Sequence, residues 1–171
     1  MAAALWLNWI QDLRKILIFG NSGSGKSTLA RRVCNAEGLS HLDLDTLAWN
    51  STAPPERKCL NESRSEIFNF MHSSKGWVIE GCYSDLLEII FPFATEIIFM
   101  NLPIESCIEN ARNRPWESHK YASKEAQDKN LKMLIDWISQ YSERTDTFSE
   151  LAHNKLYSQY AGKKSMVTCN Q

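Results

Sequence analysis

The chain has 171 residues, 43% of them hydrophobic and 23% charged, with a net charge of −1. That length gives one domain with a core of ordinary size, and the near-neutral charge gives no strong signal for nucleic acid held by a broadly basic surface. The five cysteines, Cys34, Cys59, Cys82, Cys107 and Cys169, are odd in number and form no C-x-x-C pair, which argues against a disulfide framework or a zinc site and reads as a reduced, cytoplasmic protein.

Residues 1–14 are apolar, but Asn8, Gln11 and Asp12 interrupt them well short of a bilayer span. Leu5, Trp6, Trp9, Ile10 and Leu13 could line one side of a short helix, so the reading is an N-terminal amphipathic extension, with no membrane span. Ile16 to Phe19 is a short apolar run of strand formers, as expected of a strand buried on both faces. It breaks at Gly20, passes through Asn21, Ser22, Gly23, Ser24 and Gly25, and regains helix formers at Lys26. Gly20 to Ser27 fits G-x-x-x-x-G-K-[ST], between a strand and a helix. Such a loop turns its N–H groups inward on an anion, and the helix N-terminus adds partial positive charge. Lys26 can reach the outer phosphates, the Ser27 hydroxyl can ligate Mg²⁺, and Thr28 follows on the helix. A plain glycine-serine linker would require neither the lysine nor the buried strand before it.

Further along, His41 to Leu44 reads as a second strand with Asp43 and Asp45 at its C-terminal end. Asn50 to Lys58, marked by Pro54-Pro55, is a loop. A helix follows, with Ile67, Phe68 and Met71 on its apolar side. Trp77 to Ile79 is a third strand ending at Glu80-Gly81, and Glu96 to Asn101 is a fourth, stopped by Pro103. From Ile104 to about Arg112 the pattern is helical. The polar stretch with Pro115 interrupts it, and one long helix is expected from about Ala122 to Gln140. A further segment covers Phe148 to Tyr160, and Lys164 to Cys169 is a fifth strand. The four histidines, His41, His72, His119 and His153, show no ligand spacing and read as surface or lining residues. Strands alternating with helices give a parallel α/β sheet with right-handed crossovers, whose ligands bind beyond the C-terminal strand ends. Gly20, Asp43, Asp45 and Glu80 all fall there.

Phosphoryl transfer needs a phosphate cradle, a metal, cations and a group that orients the acceptor. Asp43 and Asp45 lie on one side of an extended strand end; one could hold Mg²⁺ through water while the other takes an acceptor hydroxyl. A helix start near Thr46 could instead use one as a cap, and Asp45 is then the one occupied. Glu80 could take a metal- or base-orienting role, or simply face solvent. Arg112 and Arg114, with Lys120 nearby, flank Pro115 on a segment able to close over phosphates.

Taken in order, these features resemble the nucleoside-monophosphate-kinase-like group of P-loop proteins, and within it shikimate kinase and the adenylate-kinase-like "topology modulation" proteins. "GNSGSGKST" matches the loop of the group. "LDLDTL" is similar to the D-x-D that ends the second strand of shikimate kinases, which implies Asp43 for the metal and Asp45 for the acceptor. "RNRPW" resembles the lid motif, with Arg112 and Arg114 as lid arginines and a lid over about 112–124. "ERTDTFSELA" is similar to the later R-x-P-x-Y-x-E-x-A segment, making Arg144 the substrate-carboxylate arginine, although its proline and tyrosine are Asp146 and Phe148 here. The run of glycines after the third strand of shikimate kinases is replaced by "EGCYSD", leaving Gly81 alone. For their other acceptor arginine, Arg64 is a loose counterpart. "GWVIEGCYSD" is instead similar to the W-x-I-D-G-x-Y-S of the topology-modulation group.

The resemblance implies a three-layer α/β P-loop NTPase fold over residues 15–171, with a five-stranded parallel sheet in the order 2-3-1-4-5. It also implies ATP and Mg²⁺ as cofactors, and a monomer or small homo-oligomer that phosphorylates a hydroxyl or phosphate of a small molecule. The rival expectation is a nucleotide-binding switch or slow ATPase with no acceptor.

Overall fold

The computed structural model describes residues 13–52, 54–118 and 121–170. Of the amphipathic extension expected over 1–14, residues 1–12 lie outside them, as do His119 and Lys120. The first strand, β1 (Lys15–Gly20), is buried from Ile16 onward. It lies at the centre of a parallel sheet with β2 (Ser40–Asp43), β3 (Trp77–Gly81), β4 (Glu96–Met100) and β5 (Lys163–Val167) in the order β2-β3-β1-β4-β5. All neighbouring pairs are parallel.

Side chains alternate across the sheet with the two-residue period of a strand. Leu17, Phe19, Ile79, Ile97 and Phe99 pack on one face, among residues of α4 (Ser84–Ile90) and α8 (Glu150–Gln159). Ile16, Ile18, Val78, Ile98 and Met100 pack on the other, among residues of α1 (Lys26–Glu37), α5 (Ile104–Asn113) and α7 (Leu131–Ser139). Each such side chain contributes roughly 1.5–3 kcal/mol when fully buried. This is why a run with no polar alternation becomes the central strand.

The short α2 (Asp45–Ala48) takes up the helix start weighed near Thr46 and precedes α3 (Leu60–Ser73), whereas α4 was not expected. The backbone N–H of Asp85, in the first turn of α4, donates to Thr147 Oγ1 at 2.9 Å, so part of its N-terminal capping comes from a distant loop. The single helix expected from Ala122 to Gln140 is two, α6 (Lys124–Lys129) and α7. They part at Asn130, whose N–H donates to Gln127 O at 3.1 Å and whose Nδ2 donates to Ala126 O at 3.2 Å. An amide side chain that competes for the carbonyl four residues back tightens the turn there. Ser149 caps α8, its hydroxyl accepting the Ala152 N–H at 3.1 Å.

At the N-terminal strand ends, Arg14 and Lys163 both pair with the buried Glu96, at 2.6 and 3.0 Å, and Arg14 also meets Glu37. Strands β1, β4 and β5 are thereby tied together at the bottom, and the C-terminal ends of β1, β3 and β4 finish level, with Phe19 beside Gly81 and Gly20 beside Met100. Among the described residues no helix is long and apolar enough to cross a membrane.

Candidate functional site

The loop between β1 and α1 is held from outside as well as by its own turns. Gly20 has φ +147, and a side chain there would meet the Met100 carbonyl; Gly23 has φ +76 and would meet that of Cys107. No L side chain suits both the conformation and the space. Asn110 Nδ2 donates to Gly23 O at 2.9 Å, and Asn21 Nδ2 donates to Ile138 O at 3.2 Å, fastening the loop to α5 and α7. The Lys26 ammonium is buried and donates to Asn21 O at 2.7 Å. The Ser24 hydroxyl is buried with no hydrogen-bond partner.

A cavity of about 690 Å³ opens from this loop, lined by residues 22–29 with Asp45, Glu80, Gly81 and Cys82 at one end and Arg114 at another. Glu80 is 2% exposed and its Oε1 has no hydrogen-bond partner; the nearest cation-forming group is His41 Nε2 at 3.6 Å, itself unpartnered. A buried carboxylate oxygen without a donor suits a cation. Among the described residues no group of three or more His, Cys, Asp or Glu is arranged to hold a metal ion, so a cation here would draw most of its oxygens from phosphate and water, as Mg²⁺ does.

Asp43 and Asp45 have parted roles, though not as their spacing suggested. Asp43 Oδ1 accepts the Asp45 N–H at 2.9 Å, while the Thr46 hydroxyl donates to Asp43 O at 2.7 Å. Asp43 therefore shapes the turn into α2, the capping work expected of Asp45. Asp45 instead reaches the cavity, and its Oδ1 accepts the Tyr83 hydroxyl at 2.6 Å. Trp49 Nε1 donates to that same hydroxyl at 2.8 Å. An indole nitrogen can only donate, so the phenol proton points at Asp45. Burial, then the Asp45 carboxylate, push the Tyr83 phenol far above its ordinary value, so this donor stays protonated. Cys82, pushed up to about 12 by burial, is a neutral thiol in the wall.

His153 was expected at the surface or in a lining and is fully buried. Its Nε2 lies 3.0 Å from Cys82 O and its Nδ1 2.7 Å from Tyr141 Oη. A carbonyl only accepts, so Nε2 carries the proton and Nδ1 takes that of Tyr141. Burial brings this imidazole down to about 4, making it a neutral strut beneath Gly81 and Cys82.

The predicted arginines separate. Arg114 borders the cavity, donates to Glu117 at 3.0 Å and lies over the Tyr121 ring. Gln127 pins its segment, accepting the Glu117 N–H at 2.9 Å and donating to Pro115 O at 3.2 Å. Arg112, in the last turn of α5, is exposed and does not border the cavity. Arg64 is exposed on α3, over Phe68. Arg144 is outside the cavity too, flat on Trp137 at 3.5 Å from the ring centre and 3.3 Å from Asp146.

The arginine that sequence reasoning missed is Arg57. Its guanidinium sits 4.7 Å over Tyr83 and 5.6 Å over Phe148, and pairs with Asp85 at 2.9 Å. It is brought there by the Trp49–Arg57 bridge and the Asn50 N–H to Glu56 O bond. The only local signal was a basic residue closing the loop after Pro54-Pro55.

No protein-family model and no curated protein matches the chain. Among solved structures it is similar to a shikimate kinase from Acinetobacter baumannii in complex with shikimate, at 16% identity over 93% of this chain and 85% of that one, with a TM-score of 0.50. A sugar kinase from Janibacter sp., unliganded, matches at 12% identity over 91% and 85%, with a TM-score of 0.53. A deoxyadenosine kinase from M. mycoides with bound dATP matches at 13% identity over 90% of each chain, with a TM-score of 0.47. At these identities the first two share a fold with this chain: the five-stranded parallel sheet and helical layers of P-loop kinases.

Proposed function

We propose that the chain is an ATP-dependent small-molecule kinase, moving the terminal phosphoryl group of ATP to a hydroxyl held at Asp45. The observation that carries this reading is the pair of orphaned polar atoms, Ser24 Oγ and Glu80 Oε1, both buried where a P-loop opens into a cavity. In a folded protein such atoms are rare unless something else completes them.

Gly20 to Thr28 cradle the phosphates through backbone N–H groups and the start of α1. Lys26 exchanges the Asn21 carbonyl for a phosphate oxygen. Mg²⁺ would offset charge on the phosphate oxygens, and Ser27, Asp43 and Glu80, the last two paired in the strand register, are the side chains that would hold it. Residues from about 112 to 124 form the lid. Arg114 closes over the phosphates with Arg112 behind it, excluding water and so suppressing hydrolysis. Asp45 and the Gly81 backbone hold the acceptor. Its proton passes to Asp45 as the new O–P bond forms and the bond to the bridging oxygen breaks, releasing ADP. Arg64 takes no part. Free thiols at Cys34, Cys59, Cys82, Cys107 and Cys169 fit a reducing compartment such as the cytoplasm.

One observation favours a second reading, a nucleotide-binding switch or slow ATPase: an Asp45 carboxylate oxygen already holds the Tyr83 hydroxyl. ADP release from Mg·ATP with pooled metabolites, beside Lys26→Ala, decides between them. Stimulation by one pool that Lys26→Ala abolishes is the expected result. ATP binding that no pool stimulates would leave the switch, and no ATP binding would sink both.

A further inference from the structure

The helix that carries Asp45 is one turn long. The four residues of α2 close too few backbone bonds to hold themselves in place, so the position of the Asp45 carboxylate is set by neighbouring elements. Part of it comes from β3: the Leu44 N–H donates to Glu80 O at 2.9 Å, tying the start of α2 to the strand end that bears Glu80. The rest comes from Tyr83. Its hydroxyl donates to Asp45 Oδ1 at 2.6 Å and accepts from Trp49 Nε1 at 2.8 Å. Asp45 is the first residue of α2 and Trp49 follows its last, so one phenol oxygen grips the helix at both ends.

The grip is stiff. Tyr83 is 3% exposed, Phe148 packs edge-on against its ring at 5.2 Å, and the Arg57 guanidinium lies over its face. Its backbone opens α4, where the Leu87 N–H donates to Tyr83 O and the Ser84 N–H to Thr147 O, each at 2.9 Å. A hydroxyl donating to a carboxylate at this distance makes a charge-assisted bond, roughly twice as strong as a neutral one. A carboxylate has about four lone-pair sites, so one such bond orients Asp45 without using it up. Neither Tyr83 nor Trp49 borders the cavity, whereas Asp45 and Glu80 both do. The two rings act only through the carboxylate.

Resting on the kinase reading above, we propose that Tyr83 and Trp49 are positioning residues: through the phenol oxygen they hold Asp45 in one frame with Glu80, so that an acceptor hydroxyl is presented to the phosphate end of the cavity at a fixed place. The test reads turnover and structure separately. ADP release from Mg·ATP is followed with pooled sugars, hydroxy acids and nucleoside monophosphates, beside Tyr83→Phe, which removes one oxygen and keeps the ring. With the pool that stimulates the native protein, kcat should fall about 10- to 100-fold, the scale set by a misplaced reacting group, while the KM for ATP holds. Trp49→Phe, which leaves the phenol its bond to Asp45, should lose less. A native kcat in Tyr83→Phe overturns the proposal. If ATP binds and no pool stimulates the native protein, the kinase reading falls and the positioning role with it.

The second arm needs no turnover. In protein with ¹⁵N-labelled indoles, the Nε1–H signal of Trp49 is assigned by its loss in Trp49→Phe. Asp45→Asn takes away the charge that draws the phenol proton, and the Trp49 signal should move, because its own bond is to that same oxygen. In a Tyr83→Phe background, Asp45→Asn should leave the signal where it was. An equal shift in both backgrounds would mean that Asp45 reaches Trp49 through α2 and not through the phenol, which overturns the proposal. Should Tyr83→Phe not fold, the Asp45→Asn shift decides alone, and an unmoved signal sinks the relay.

Discussion

Replacing Glu80 by Gln sets stability against ligand binding. The carboxylate is 2% exposed in β3 and its Oε1 lacks a donor. A buried polar group left unsatisfied costs about 1–3 kcal/mol, and more when charged. Glutamine keeps the size and the polar oxygen but loses the charge, so the nucleotide-free variant should gain about 1–2 kcal/mol rather than the whole penalty. For a chain of this length each kcal/mol moves the melting point by about 2–4 °C, giving a rise of roughly 2–8 °C. The native protein should be further stabilised by about 2.7 kcal/mol with Mg·ATP at a hundred times its Kd, and the variant should lose most of that gain. Thermal unfolding of both proteins, with and without Mg·ATP, reads both effects. A Gln variant that melts lower without ligand, or that keeps the full ligand shift, refutes the idea that this carboxylate waits for a cation.

The His153 imidazole, held to about 4 in the fold against about 6.5 when unfolded, makes stability depend on pH. The unfolded chain binds the extra proton first, so this contribution is complete above about pH 6.5 and is lost as pH falls toward 4, up to roughly 3 kcal/mol. Urea unfolding across that range measures it, and a flat profile between pH 7 and 5 would count against a neutral buried imidazole. Gln127→Ala removes both bonds that pin residues 115 and 117. It should cost about 1–3 kcal/mol and speed chymotryptic cleavage after the exposed Trp116, as limited proteolysis would show. Unchanged cleavage would mean that the segment is held by other contacts.

What was legible in the sequence is what short-range chemistry decides. Ile16 to Phe19 could only be a buried strand, and the glycines after it could only be a tight loop before a helix, so the sheet and the phosphate end of the site were readable. Elements settled by distant partners were not. The first turn of α4 is completed by Thr147, more than sixty positions away, and Ser84 to Ile90 was too short to announce itself by periodicity. Asn130 divides α6 from α7 through its own side chain, against a hydrophobic spacing that runs straight on. At the acceptor end the basic residues were sought at Arg144 and, loosely, on α3 at Arg64, because nothing local in the loop of Arg57 tells where that loop folds. The glycine run missing from the third-strand end was legible; that Tyr83 would take hold of Asp45 was not.

One contact in the phosphate loop changes how ligand affinity should be understood. The ammonium of Lys26 rests on the carbonyl of Asn21 rather than in water. Arrival of a phosphate is therefore a substitution at nitrogen, one oxygen leaving as another enters, and not the capture of a roaming cation. Most of the ordering of that side chain has been completed during folding, so little flexibility is left to lose on binding. What remains is the difference between a neutral oxygen and a charged one as partner. Discrimination between ligands at this point then follows the charge on the entering oxygen, and an uncharged isostere of phosphate would gain little by displacing a partner already present.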